Sequence, residues 1–143
     1  MGNFDTVTAI TDNIQRRLES EGINFTRAVY EDERTVPASL IPLGRIFYAG
    51  EAFEYAHGQR PKYAEAEFSI RVILNERDPV DRVRSQQKWA HRIREALTVA
   101  ALNTGALSST RLVSRVTTAR VDAQSRGGTS AVVCRTLVRY REV

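Results

Sequence analysis

Tyr63-Ala-Glu-Ala-Glu-Phe-Ser-Ile-Arg-Val-Ile-Leu74 is the stretch whose reading decides the fold. Ala64, Ala66, Phe68, Ile70, Val72 and Leu74 fall on one side of an extended chain, and Glu65, Glu67, Ser69 and Arg71 on the other. A period of two with one apolar face is the signature of a half-buried strand. The preceding residues 45–56 read as its hairpin partner, interrupted at Gly50, where a bulge or bend is expected. His57-Gly58-Gln59-Arg60-Pro61-Lys62 is a basic turn between the two strands.

On the N-terminal side, Val7, Ile10, Ile14 and Leu18 recur at helical spacing, so residues 5–21 read as a helix. Asp5 is expected to cap it, and Gly22 stands where a left-handed residue closes a helix. Residues 25–30 read as a short strand, followed by a loop of about a dozen residues that Pro37 and Pro42 keep out of any ladder.

On the C-terminal side, Asp78-Pro79-Val80-Asp81 opens a second helix: a capping carboxylate, proline in the first turn, and an acid near the positive dipole end. Its buried stripe is expected to be Val83, Ala90, Ile93, Leu97 and Ala101, with Trp89 on the edge, and it ends before Asn103-Thr104-Gly105. A closing hairpin follows, with strands over 111–122 and 129–141 and a turn over 124–128. Leu112 and Val116 alternate out of phase with Ala119 and Val121, which predicts a bulge between them. In the last strand Val132, Cys134, Val138 and Tyr140 alternate with Val133, Arg135, Leu137 and Arg139, so both faces carry apolar residues. One face goes to the core, and a partner subunit is the economical cover for the other. The whole is an α+β chain: a mixed, mostly antiparallel sheet of two hairpins with two helices packed on one face.

At 143 residues one domain is expected, spanning 1–143. With 42% hydrophobic and 27% charged residues the chain is too apolar for disorder. The single cysteine, Cys134, excludes a disulfide framework and a cysteine zinc site, and reads as a small buried hydrophobe. Met1-Gly2 with Thr6 matches a myristoylation pattern by chance, since no second anchoring signal accompanies it. The N-terminus lacks the basic and apolar regions of a signal peptide, and no apolar run approaches the roughly 20 residues of a membrane span, so a cytoplasmic origin is expected.

The net charge of +4 rests almost wholly on arginine, Lys62 and Lys88 being the only lysines. Arginine makes planar bidentate pairs and suits interfaces. Such a charge is modest for a DNA binder, and interspersed arginines pairing with Asp and Glu explain it as well. No phosphate-cradling glycine loop, zinc-protease helix or nucleophile elbow is present. His57 and His91 lack partner spacing, and no cofactor or metal is expected. Glu51, Glu54, Glu65 and Glu67 could meet across the hairpin for acid–base or metal chemistry, or form a solvated face pairing with arginines. Phe47, Tyr48, Phe53, Tyr55 and Tyr63, beside Arg45, Arg60 and Lys62, are the residue types that stack and hold single-stranded nucleic acid.

The order of elements resembles the tail-terminator proteins of long-tailed bacteriophages, the minor tail protein U-like and tail-completion group. Three stretches carry the resemblance: the helix over 6–20, the segment 42–74 with Gly50-Glu51 and the Tyr63 strand, and the helix over 78–101 feeding the last hairpin. No tight motif matches, so no family residue roles are carried over. The resemblance implies a homohexameric ring in the virion neck, made in the host cytoplasm. Such a ring ends tail-tube polymerisation and joins the tail to the head connector or stopper, with DNA passing through its lumen. Val133, Arg135, Leu137, Arg139, Arg141 and Arg115 are then the candidate subunit contacts. His57, Gln59, Arg60 and Lys62, with Arg34 of the 32–43 loop, are the candidate contacts to the neighbouring ring. A nucleic-acid-binding module built on residues 45–74 is the second reading, and an enzyme the third.

Overall fold

The computed structural model describes residues 2–55, 61–126 and 128–143. Four strands form one antiparallel sheet: β1 (Leu43–Tyr55), β2 (Pro61–Ile73), β3 (Val113–Arg126) and β4 (Thr129–Arg141), in the order β1-β2-β4-β3. The helices α1 (Asn3–Ser20), α2 (Pro79–Ala96) and α3 (Val99–Leu102) pack on one side of it. The expected α+β arrangement, two hairpins under one helical layer, is thus the observed one. Among the described residues the single parallel contact is an isolated bridge between Asn24 and Leu43.

β2 lies inside the sheet and behaves as its alternation requires. Ala64, Ala66, Phe68, Ile70 and Val72 are buried, and so are Val132, Cys134, Val138 and Tyr140 of β4 on the same side. Against this surface α1 lays Ile10, Ile14 and Leu18, all fully buried. α1 ends in a Schellman turn: the Gly22 N–H donates to the Glu19 carbonyl and the Ile23 N–H to that of Leu18, with Gly22 at φ +95°. Its start differs from expectation, because the cap is Gly2. Asp5 sits one turn inside and accepts from the Gly2 N–H at 3.3 Å, which satisfies a free amide and places a carboxylate at the positive dipole end.

Residues 25–30 form no strand. Apart from the Asn24 bridge, this segment runs as irregular chain beside β1, so the strand expected there is absent. The second helix also departs from its predicted stripe. Asp78 does cap it, accepting from the Val80 and Asp81 amides. Ile93 and Leu97 are buried and Ala90 packs against the core as expected, but Gln86, Trp89 and Ala96 join them and Val83 is 52% exposed. The buried set is led by a glutamine because Gln86 Nε2 donates to the Gln124 carbonyl and Ser125 Oγ, fastening the far end of the β3–β4 hairpin. Helical geometry breaks at Leu97 and Thr98, and Thr98 caps the separate short α3 by accepting from the Ala101 amide. Asn13 of α1 donates to the Leu102 and Thr104 carbonyls, and Asn103 exchanges two hydrogen bonds with the Val113 backbone.

Both predicted bulges are present. In β1, Ala49 is the extra residue beside Gly50, whose φ of +118° only glycine adopts without strain. In β3 the register shifts between Thr118 and Arg120, and again between Val113 and Arg115. Phe68, central on β2, is the largest fully buried side chain after Tyr140 among the described residues. Phe68→Ala is expected to lower unfolding free energy by about 3–5 kcal/mol in urea denaturation; a loss under 1 kcal/mol would contradict the packing described.

Candidate interaction surface

Residues opposite one another in an antiparallel pair share a face, so the registers define what the helix-free side of the sheet displays. β4 contributes Val133, Arg135, Leu137, Arg139 and Arg141. β2 adds Tyr63, Glu65, Glu67, Ser69 and Arg71, and β3 adds Arg115, Thr117, Arg120 and Asp122. All six residues singled out as subunit contacts therefore fall on one face, in two neighbouring strands.

That face is a mesh of paired charge. Arg135 donates to Glu67 at 2.7 Å, Arg115 to Glu65 at 3.2 Å and Arg139 to Glu54 at 2.8 Å. Arg71 bridges Glu33 and Gln124. The Arg139 guanidinium also lies over the Tyr63 ring, 4.2 Å from its centroid, and its Nε is buried without a partner. The hydrogen bond from Arg135 holds the Glu67 carboxyl below the usual carboxylate range. Exposed pairs of this kind each add little stability. They leave Val133 and Leu137 half-buried between charged rows, a surface that is neither core nor fully wet.

The four hairpin carboxylates are accordingly engaged by their own chain. Glu54, Glu65 and Glu67 meet arginines, and Glu51 accepts from both Tyr48 and Tyr140 on the helix side. Among the described residues no group of three or more His, Cys, Asp or Glu side chains could hold a metal ion, and no helix is long and apolar enough to cross a membrane.

The aromatics of the first hairpin do not form one platform. The Ala49 bulge changes the phase of β1, so Tyr48 and Phe53 both face the helix side while Phe47 faces away. Tyr63 lies on the opposite face from Phe53 and is already covered by Arg139. The Tyr55 side chain and Arg60 lie outside the described residues. A row of stacked bases needs rings presented together, and these are divided between two faces.

His57, Gln59 and Arg60 also lie outside the described residues. Lys62 is exposed at the start of β2, where its carbonyl accepts from the Glu142 amide. Arg34 sits at the other end of the sheet. There it forms a forked pair with Asp32, while the adjoining Glu33 binds Arg71 and Asn75. The length of β2 separates the two positions, roughly 40 Å at about 3.3 Å per residue. Arg34, Arg77 and Arg82 line a groove of about 470 Å³ at that end.

One feature was not read from the sequence. Phe4, Val7, Tyr48, Glu51 and Phe53 border a groove of about 400 Å³ between the first turn of α1 and the second half of β1. Phe4 precedes Val7 by three residues and so prolongs the buried stripe of α1, yet it is 82% exposed. An apolar stripe longer than the sheet beneath it was the available signal. No family model matches the chain, and no curated protein matches it significantly.

Burial and the bond to Glu51 raise the Tyr48 hydroxyl to about 12 and raise that of Tyr140 further. The fold thus holds both protonated. Their stabilisation is whole below the ordinary tyrosine value of 10.0 and falls as pH rises above it, through about 12 for Tyr48. In equilibrium unfolding, Tyr140→Phe should lower stability at pH 7 by about 1.5–3 kcal/mol and flatten the decline above pH 10. An unchanged alkaline slope would contradict the pairing.

Proposed function

We propose that this chain is a structural virion protein. Copies of it form a ring at the head-proximal end of a phage or phage-like tail tube, stop the tube from lengthening, and join the tail to the head connector. The observation that carries the reading is a sheet covered by α-helices on one side only, with the arginine–glutamate mesh on its other face and, among the described residues, no strand on the outer side of β3 or of residues 46–54 of β1. Such a surface is incomplete in a single copy. The order of elements resembling tail terminators supplies the particle and the place.

The mechanism is steric, without turnover. Each copy has two chemically different ends: exposed Lys62 at one, and the Arg34, Arg77 and Arg82 groove at the other. A ring that seats one end on the tube presents the other end outward. The next tube ring then finds a different surface, and growth stops. The same outward end is available to the connector. Arg115, Arg135, Arg139 and Arg141 on the bare face become subunit or tube contacts, and any that line the lumen are placed to meet DNA phosphates.

Mass photometry of the purified chain should show one discrete ring-sized species. Added to growing tubes of the cognate tube protein, that species should fix their length, as measured by electron microscopy. A chain that stays monomeric and leaves tube growth unchanged would overturn the proposal.

A further inference from the structure

We infer that copies of this chain join head to tail through the two outer edges of the sheet, β1 of one copy against β3 of the next. This rests on the self-assembly reading above and names its interface.

The first part of β1 is closed off. The Gly44 N–H donates to the Asn24 carbonyl, and Arg45 donates to that of Ala28. Over residues 46–54, no strand among the described residues pairs with its outer side. Phe47, Tyr48 and Phe53 there are 50%, 55% and 45% exposed. β3 is likewise an outer strand, exposed along most of its 14 residues and without a proline. Natural sheets blunt long edges with charges, prolines or a covering element, because free N–H and C=O groups recruit another strand. Both of these strands contain bulges, yet neither is short.

Charge selects which edge meets which. Residues 46–54 contain Glu51 and Glu54 and no cation; Glu54 is the one on the same face as Arg115 and Arg120, and at 62% exposure it keeps acceptor capacity beside its pair with Arg139. β3 contains Arg115, Arg120 and Arg126 against the single Asp122. Joining β3 to β3 sets guanidinium rows against each other, and joining β1 to β1 sets carboxylates together; like charges across a strand pair are destabilising. Joining β1 to β3 opposes them. Arg115 and Arg120 bind Glu65 and Asp122 within their own chain, but at 57% and 72% exposure they keep donors for a second acceptor.

The apolar groups agree with this pairing. Phe4, Tyr48 and Phe53 lie on the helix side at the β1 edge. At the β3 edge, Val121 lies on the helix side at 38% exposure, and Val83 stands one turn before Gln86, which is bonded to Gln124. Continuing the sheet from one copy into the next sets these two patches against each other in the helical layer. Because the two edges differ, the contact is heterologous. Each copy gives one edge and receives the other, and the series closes into a ring if the rotation allows.

Phe53→Lys and Val121→Lys each disable one edge. In sedimentation, wild type should be a discrete oligomer and each variant alone a monomer, with the circular dichroism spectrum unchanged and cooperative melting retained. An equimolar mixture should form a dimer, because each variant retains the edge that the other lacks. Ala52→Lys and Ala123→Lys, at exposed positions of the same strands, give the same test should a first substitution disturb folding. If wild type and both variants assemble alike, the edge assignment is wrong while self-assembly stands. If only one variant loses assembly, the contact is isologous and the inference fails. A monomeric wild type removes both readings.

Discussion

β2 and β4 pair from Tyr63–Arg141 to Ile73–Ala131 without a register shift, whereas both outer pairings contain bulges. This central ladder joins two hairpins far apart in sequence, and the rest of the structure depends on it. A slip of β2 by one residue would carry Phe68 and Ile70 to the bare face and Glu65 and Glu67 into the core. The correct register does two things at once. It assembles a continuous apolar floor for α1 and α2, and it aligns Glu65 and Glu67 with Arg115 and Arg135 on the other side. The core and the charge mesh are therefore the two faces of one constraint.

The outer strands are under looser control. Their bulges change the phase of the side chains, and this is what places Tyr48 and Phe53 on the helix side and Val116 and Val121 together on theirs. Polar clamps then fix the helical layer: Gln86 ties α2 to the hairpin tip, Asn13 ties α1 to α3, and Arg17 of α1 donates to the Ala96 carbonyl at the end of α2. With the helical layer anchored in this way, one face and two edges are left for other molecules. An assembly subunit fits that division between a stable interior and an unfinished exterior.

The sequence was legible where one face decided the pattern. The β2 alternation, the α1 stripe, the Asp78 cap and the bulges at Gly50 and before Ala119 could all be read from residue order, because each has a local cause. Three features had non-local causes. Residues 25–30 have strand-like composition but meet β1 only at one bridge, so composition overstated them. The inward side of α2 is set by Gln86 reaching the hairpin tip, a contact 38 residues away that apolar periodicity cannot register. The exposure of Phe4 depends on the groove left between the first turn of α1 and β1, which residue order does not show. Strand alternation places Val133, Arg135, Leu137, Arg139, Arg141 and Arg115 on one face, whereas Arg34 and Lys62, read together, are separated by the length of β2.

The central claim is that the two free edges of this sheet are completed by other copies of the same chain. Hydrogen–deuterium exchange measured across a dilution series addresses it directly. The outward-pointing backbone amides of residues 46–54 and 114–126 should exchange rapidly at low concentration and become protected together as concentration rises, while those of β2 and β4 stay protected throughout. Exchange at both edges that remains fast at every concentration would contradict the account.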